Sequence, residues 1–134
     1  LQKQGVSVSV VAIIEPARLR IARDAQEASY VLDDEGLAAC IPYVQKRLFV
    51  CHTRPEIMTG VLRRLDTGYG QSCFVGYKNR GGTLDVFGML YANGITWAHL
   101  VKHSAVLLGL DLTLLLSDSE IQAVNGLLQP DCLR

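Results

Sequence analysis

Residues 47–77, RLFVCHTRPEIMTGVLRRLDTGYGQSCFVGY, decide the fold class. Residues 47–52 (RLFVCH) are a short run of aromatic and β-branched side chains, the pattern of a buried strand. Residues 54–65 then follow helical spacing, with Ile57, Met58, Val61, Leu62 and Leu65 on one face. A turn at 67–70 leads to a second apolar run at 72–77. Strand and helix alternate upstream as well. Residues 6–14 (VSVSVVAII) begin by alternating and end as a continuous β-branched run, the pattern of a buried parallel strand. Pro16 suits a first helical turn, and residues 17–28 contain helix formers. Asp33 or Asp34 can cap a short helix through 37–41 that Pro42 ends. Such alternation predicts an α/β fold: a three-layer α/β/α arrangement with a mainly parallel sheet.

Downstream of Tyr77 the chain changes character. Residues 78–83 (KNRGGT) form a polar, glycine-rich loop, and residues 84–92 predict a helix broken at Asn93 and Gly94. Thr96 is placed to cap a helix with Trp97, Leu100, Val101, Ser104, Ala105 and Leu108 on one face. Ser117 and Glu120 have capping-box spacing ahead of Ile121, Val124, Leu127 and Leu128, and Pro130 stops that helix. With no repeats, linkers or biased tracts, residues 1–134 read as one domain, the usual outcome for this length.

Composition narrows the function classes. The chain is 49% hydrophobic and 19% charged, with 13 basic and 13 acidic residues. Zero net charge argues against nucleic-acid and membrane-surface partners, which require an excess of Lys and Arg. No signal peptide is visible, and no apolar run is long enough to span a membrane. Cys40, Cys51, Cys73 and Cys132 show neither CxxC pairing nor metal-ligand spacing with histidine. They predict free thiols and a cytoplasmic location.

Three constellations are candidates for chemistry. Cys51 and His52 sit where a strand hands over to a helix, a place for a nucleophile in α/β enzymes. A phosphatase-type loop would require Arg at the position of Ile57, however, and no glycine flanks Cys51. A buried strand cysteine is the plainer account. His99 and His103 share a helix face, but no third ligand accompanies them and Lys102 lies between, so no metal is expected. Lys78, Arg80, Gly81, Gly82 and Thr83 offer cations, backbone N–H groups and a helix start behind them, which suits an anion. The loop matches neither GxGxxG nor GxxxxGK[ST], and a plain strand-to-helix turn uses similar residues.

Gly76, Tyr77, Lys78, Gly81, Thr83, Phe87, Met89, Asn93, His99 and Leu100 fall without a gap on a family pattern. This segment resembles the C-terminal domain of thiamine-diphosphate-dependent phosphoketolases. That family has Gly-Tyr-Lys-x-x-Gly-x-Thr, then Phe-x-Met, an Asn, and a helix start with His-Leu. Upstream, residues 6–14 look like the family's first C-domain strand, and residues 49–52 like the strand ending in its His-Gly-Tyr-Pro motif. Of that motif only His52 and Pro55 remain, with Thr53 and Arg54 in place of Gly and Tyr. The resemblance covers roughly residues 5–110 and is specific over the central part.

The resemblance implies a fold like the transketolase C-terminal domain and a parent enzyme that cleaves xylulose 5-phosphate or fructose 6-phosphate with inorganic phosphate. The products would be acetyl phosphate and an aldose phosphate. Thiamine diphosphate and Mg²⁺ would belong to the preceding domains, with no cofactor in this one. No family catalytic residue carries over, so the expected role is structural, dimer-contact or regulatory. The start at Leu1 fits a domain cut from a longer phosphoketolase-like chain. Expected partners are the preceding domains and a second subunit, giving a homo-oligomer. The alternative is an autonomous α/β hydrolase or thiol-transfer enzyme using Cys51 and His52.

Charge is unevenly distributed. Residues 81–134 hold two basic and five acidic side chains, with Phe87, Tyr91 and Trp97 among them. An exposed apolar patch usually marks a contact surface. The helices after Tyr77, with these three aromatics, are therefore expected to carry the interface.

Overall fold

Two aspartates start the first helices of the computed structural model, which describes residues 1–78 and 82–134. The Asp24 carboxylate accepts from the Glu27 N–H and opens α1, Ala25–Ala28. Asp33 does the same for Gly36 and opens α2, Asp34–Cys40. Each supplies an acceptor for an N–H that the helix cannot satisfy itself. The continuous helix expected over 17–28 is absent. A 3-10 turn covers Pro16–Leu19, and the backbone is extended at Arg20. There the Glu27 carboxylate accepts from the Arg23 N–H and pairs with the Arg20 and Arg23 guanidiniums. These local side-chain bonds compete with helix and win.

The βαβ core forms as expected. Strand β1 is Arg47–Cys51, helix α3 is Pro55–Val61 with a 3-10 turn at Arg63–Leu65, and β2 is Ser72–Gly76. The strands are parallel, with Phe49 opposite Phe74 and Cys51 opposite Gly76. The two phenylalanine rings stack at 4.3 Å. They pack on a cluster formed by Leu19, Leu62 and Leu65, with Met58 and Val61 at its margin. Burying each of these leucines contributes about 1.5–3 kcal/mol.

Beyond β2 come α4 (Val86–Ala92), α5 (Trp97–Leu108) and α6 (Asp118–Val124). Both halves of the predicted capping box are made: Ser117 accepts from the Glu120 N–H, and Glu120 accepts from the Ser117 N–H. Gly126, at φ +72°, ends the α6 region, so Leu127 and Leu128 fall outside the helix and are exposed. A second core lies among α4, α5, α6 and the C-terminus, built from Ala98, Leu116, Ala123, Val124 and Leu133.

The architecture is mixed helix and strand around a two-stranded parallel sheet, with α3 and α5 both packed on β2. Residues 6–14 do not form the expected third strand. They run without a ladder partner among the described residues, and Val10 and Ile14 are 94% and 90% exposed. Periodicity sets which face a segment would bury; joining a sheet also requires reaching an edge. No helix among the described residues is long and apolar enough to cross a membrane.

Candidate functional site

The carboxyl ends of parallel strands are where α/β folds place ligands. Here β1 delivers Cys51 and His52 to that edge, and β2 delivers Gly76, Tyr77 and Lys78. Gly76 is required by space. A Cβ there would lie 2.4 Å from the Thr53 carbonyl oxygen and 2.6 Å from Cys51 Sγ. This close approach brings the two strand ends together, and the Tyr77 N–H donates to Thr53 at 3.1 Å.

Asn93 ties the edge to the later helices. It is 2% exposed. Its Oδ1 accepts from the Lys78 N–H at 2.7 Å, and its Nδ2 donates to the Met89 carbonyl at 2.8 Å. Gly94 then turns the chain with φ +71°, and α5 begins. Thr96 occupies the N-cap position but does not cap with its side chain; its hydroxyl meets His99 Nδ1 at 2.8 Å. The His99 ring also stands edge-on to Tyr91, at 5.4 Å.

Both imidazoles are biased toward the neutral form. Burial lowers His99 to about 4, helped by the positive charge of His103, Lys102 and Lys78. Burial also lowers His103, opposed by a hydrogen bond to the Gly94 backbone. Burial raises the Cys73 thiol, opposed by Lys78. His99 has a folded value below its unfolded 6.5, so it contributes stability above pH 6.5 that is lost as pH falls toward 4. The urea midpoint is expected to drop across that interval, and more steeply in wild type than in His99→Gln. Equal slopes would show that His99 titrates as it does in the unfolded chain.

The predicted site residues separate. Cys51 Sγ lies 3.3 Å from both the Thr53 and Val75 carbonyl oxygens, either of which can accept its single S–H. His52 is exposed and packs at 5.3 Å from the Tyr77 ring, with no hydrogen bond to Cys51 among the described residues. The pair is adjacent in sequence but not joined as nucleophile and base. His99 and His103 share a face, and no third His, Cys, Asp or Glu joins them among the described residues.

In the proposed anion loop, Arg80 and Gly81 lie outside the described residues, while Lys78, Gly82 and Thr83 are exposed. The helix start behind them already holds an anion. The Asp85 carboxylate accepts from the Gly88 N–H at 2.7 Å and pairs with Arg134 at 3.1 Å. Both contacts hold its pKa below the usual carboxylate range, the Gly88 bond most.

Of the three aromatics expected at an interface, Phe87 and Tyr91 pack against the second core. Tyr91 also donates to the Ala123 carbonyl at 2.6 Å. Trp97 is 48% exposed and donates to the Leu133 carbonyl. Exposed apolar side chains occur on both halves of the chain, including Val10, Ile14 and Tyr43 before Tyr77 and Val86, Val106 and Leu127 after it.

Local spacing reads Asn93 as a helix break and Gly76 as a strand residue, and both also lie on the phosphoketolase-like pattern, which assigns neither a contact. An Asn-Gly pair between two helical patterns was the one local signal, and it marks the turn, not the tie to Lys78. No family model, curated protein or solved structure matches this chain.

Proposed function

We propose that the chain is a non-catalytic C-terminal domain of a phosphoketolase-like enzyme, with a structural, dimer-contact or regulatory role. Its parent would cleave xylulose 5-phosphate or fructose 6-phosphate with phosphate. Thiamine diphosphate and Mg²⁺ would be bound by the preceding domains, in the cytoplasm, within a homo-oligomer. The observation that carries this reading is what the pattern-matching residues do. Gly76 allows the close strand approach, Asn93 joins Lys78 to α4, and His99 binds Thr96 at the start of α5. These residues fix backbone and helix positions, the work of a scaffold. The placement of Phe49 and Phe74 toward α3, with α5 also packed on β2, supports a transketolase-like three-layer arrangement.

The test is made on the native gene product that carries residues 1–134. It is expected to form acetyl phosphate from xylulose 5-phosphate and phosphate, dependent on thiamine diphosphate, whereas residues 1–134 alone form none. A native product with no thiamine-diphosphate module and no such activity overturns the reading. Rapid alkylation of Cys51 by iodoacetamide near pH 6 would favour the thiol-enzyme alternative instead.

A further inference from the structure

Strand β1 has one open edge. Its Arg47 N–H donates to the Gln71 carbonyl at 2.9 Å, so Arg47, Phe49 and Cys51 direct their backbone groups toward β2. By alternation Leu48 and Val50 direct theirs away from it, and among the described residues β1 has no other strand neighbour. Val50 is 50% exposed. An uncovered apolar edge is a liability that folded proteins normally cover.

The material to cover it lies beside it. Residues 6–11 and Ile13 form one wall of an apolar groove of about 640 Å³, and residues 46–50 form another. Leu100, Ser104, Leu107 and Leu108 of α5 line it too. The segment is held at both ends. Gln4 Nε2 donates to the Leu114 carbonyl at 3.3 Å, and Ile13 packs against the cluster around Leu19. Between these anchors it alternates Val-Ser-Val-Ser-Val and has no strand partner among the described residues. The connection from Ile14 to Arg47 runs through α1 and α2, the kind of crossover that joins parallel strands.

We propose that residues 6–12 are a strap that closes onto the open edge of β1 as a third parallel strand and fills this groove. The arrangement described above is the open state. Closure gives partners to the Leu48 and Val50 backbone groups and covers Val50. It requires a swing between two fixed anchors, not detachment of the segment.

Amide hydrogen exchange resolved by NMR tests this. In the open state Leu48 and Val50 N–H groups have no ladder partner, whereas Phe49, Cys73 and Val75 face the partner strand. Closure predicts that Leu48 and Val50 exchange at least about tenfold slower than unprotected amides. In Ser7→Pro/Val8→Pro, adjacent positions of which one must direct its N–H toward β1 in either register, they are expected to lose that protection while Phe49, Cys73 and Val75 retain it. Fast exchange of Leu48 and Val50 in wild type overturns the proposal, as does protection that survives the prolines. Should the proline variant fail to fold, wild-type cross-strand NOEs decide: contacts between residues 7–12 and 48–50 support closure, and their absence refutes it.

Discussion

Gly76→Ala is expected to lower stability by about 3 kcal/mol, the upper end of the usual overpacking range. The new methyl would lie 2.4 Å from the Thr53 carbonyl oxygen, 2.9 Å from that of Cys51 and 2.6 Å from the Cys51 sulfur. Two of these neighbours are backbone atoms of the β1 end and cannot rotate away. Relief requires separating the strand ends, which also breaks the Tyr77-to-Thr53 hydrogen bond. A domain of ordinary stability, about 5–15 kcal/mol, would lose a large part of its margin. Urea denaturation measures the effect, with Gly60→Ala in α3 as the control. A Cβ at Gly60 meets nothing within 4 Å, and the better helix former should add up to about 1 kcal/mol there. If both variants behaved alike, the strand ends would not be in the close contact described.

Asn93→Leu is expected to cost about 2–3 kcal/mol, since a similar volume replaces a group bonded on both sides. The change leaves the Lys78 N–H without its partner at 2.7 Å, while the Met89 carbonyl loses the side-chain donor at 2.8 Å and keeps the residue-93 N–H at 3.2 Å. At a site only 2% exposed, water cannot readily replace them. Exchange of the Lys78 amide gives the mechanism-specific check. It should accelerate in the variant, while Gly88, whose N–H binds Asp85, keeps its protection. A variant with unchanged stability and an equally slow Lys78 amide would remove Asn93 as the tie between β2 and α4.

How much of this was legible follows from the range of each interaction. The Ser117 capping box closes within four residues, and the box was read directly from Ser117 and Glu120. The amphipathic stripe of residues 57–65 likewise predicted the face that Leu62 and Leu65 bury. The helix expected over 17–28 failed although its competitors were also local. Asp24 and Glu27 stand at capping spacing, a start signal in the middle of the predicted element. Around the candidate site, His99 and His103 were correctly put on one face. Their desolvation, and the positive charge of Lys78 and Lys102, arise from packing between elements.

By itself, then, the sequence determined the strand–helix–strand core, the helices after Tyr77 and the capping of α6. Propensity, periodicity and caps act over a few residues and needed nothing from the rest of the chain. Only the tertiary structure decided that Gly76 must lack a side chain, that Asn93 joins Lys78 to α4, and that Asp85 occupies the helix start behind the loop. It also decided that residues 6–14 lie beside β1 without pairing to it. Each of these depends on groups brought together from separate parts of the fold, and a strand's hydrogen bonds belong to whichever edge it reaches.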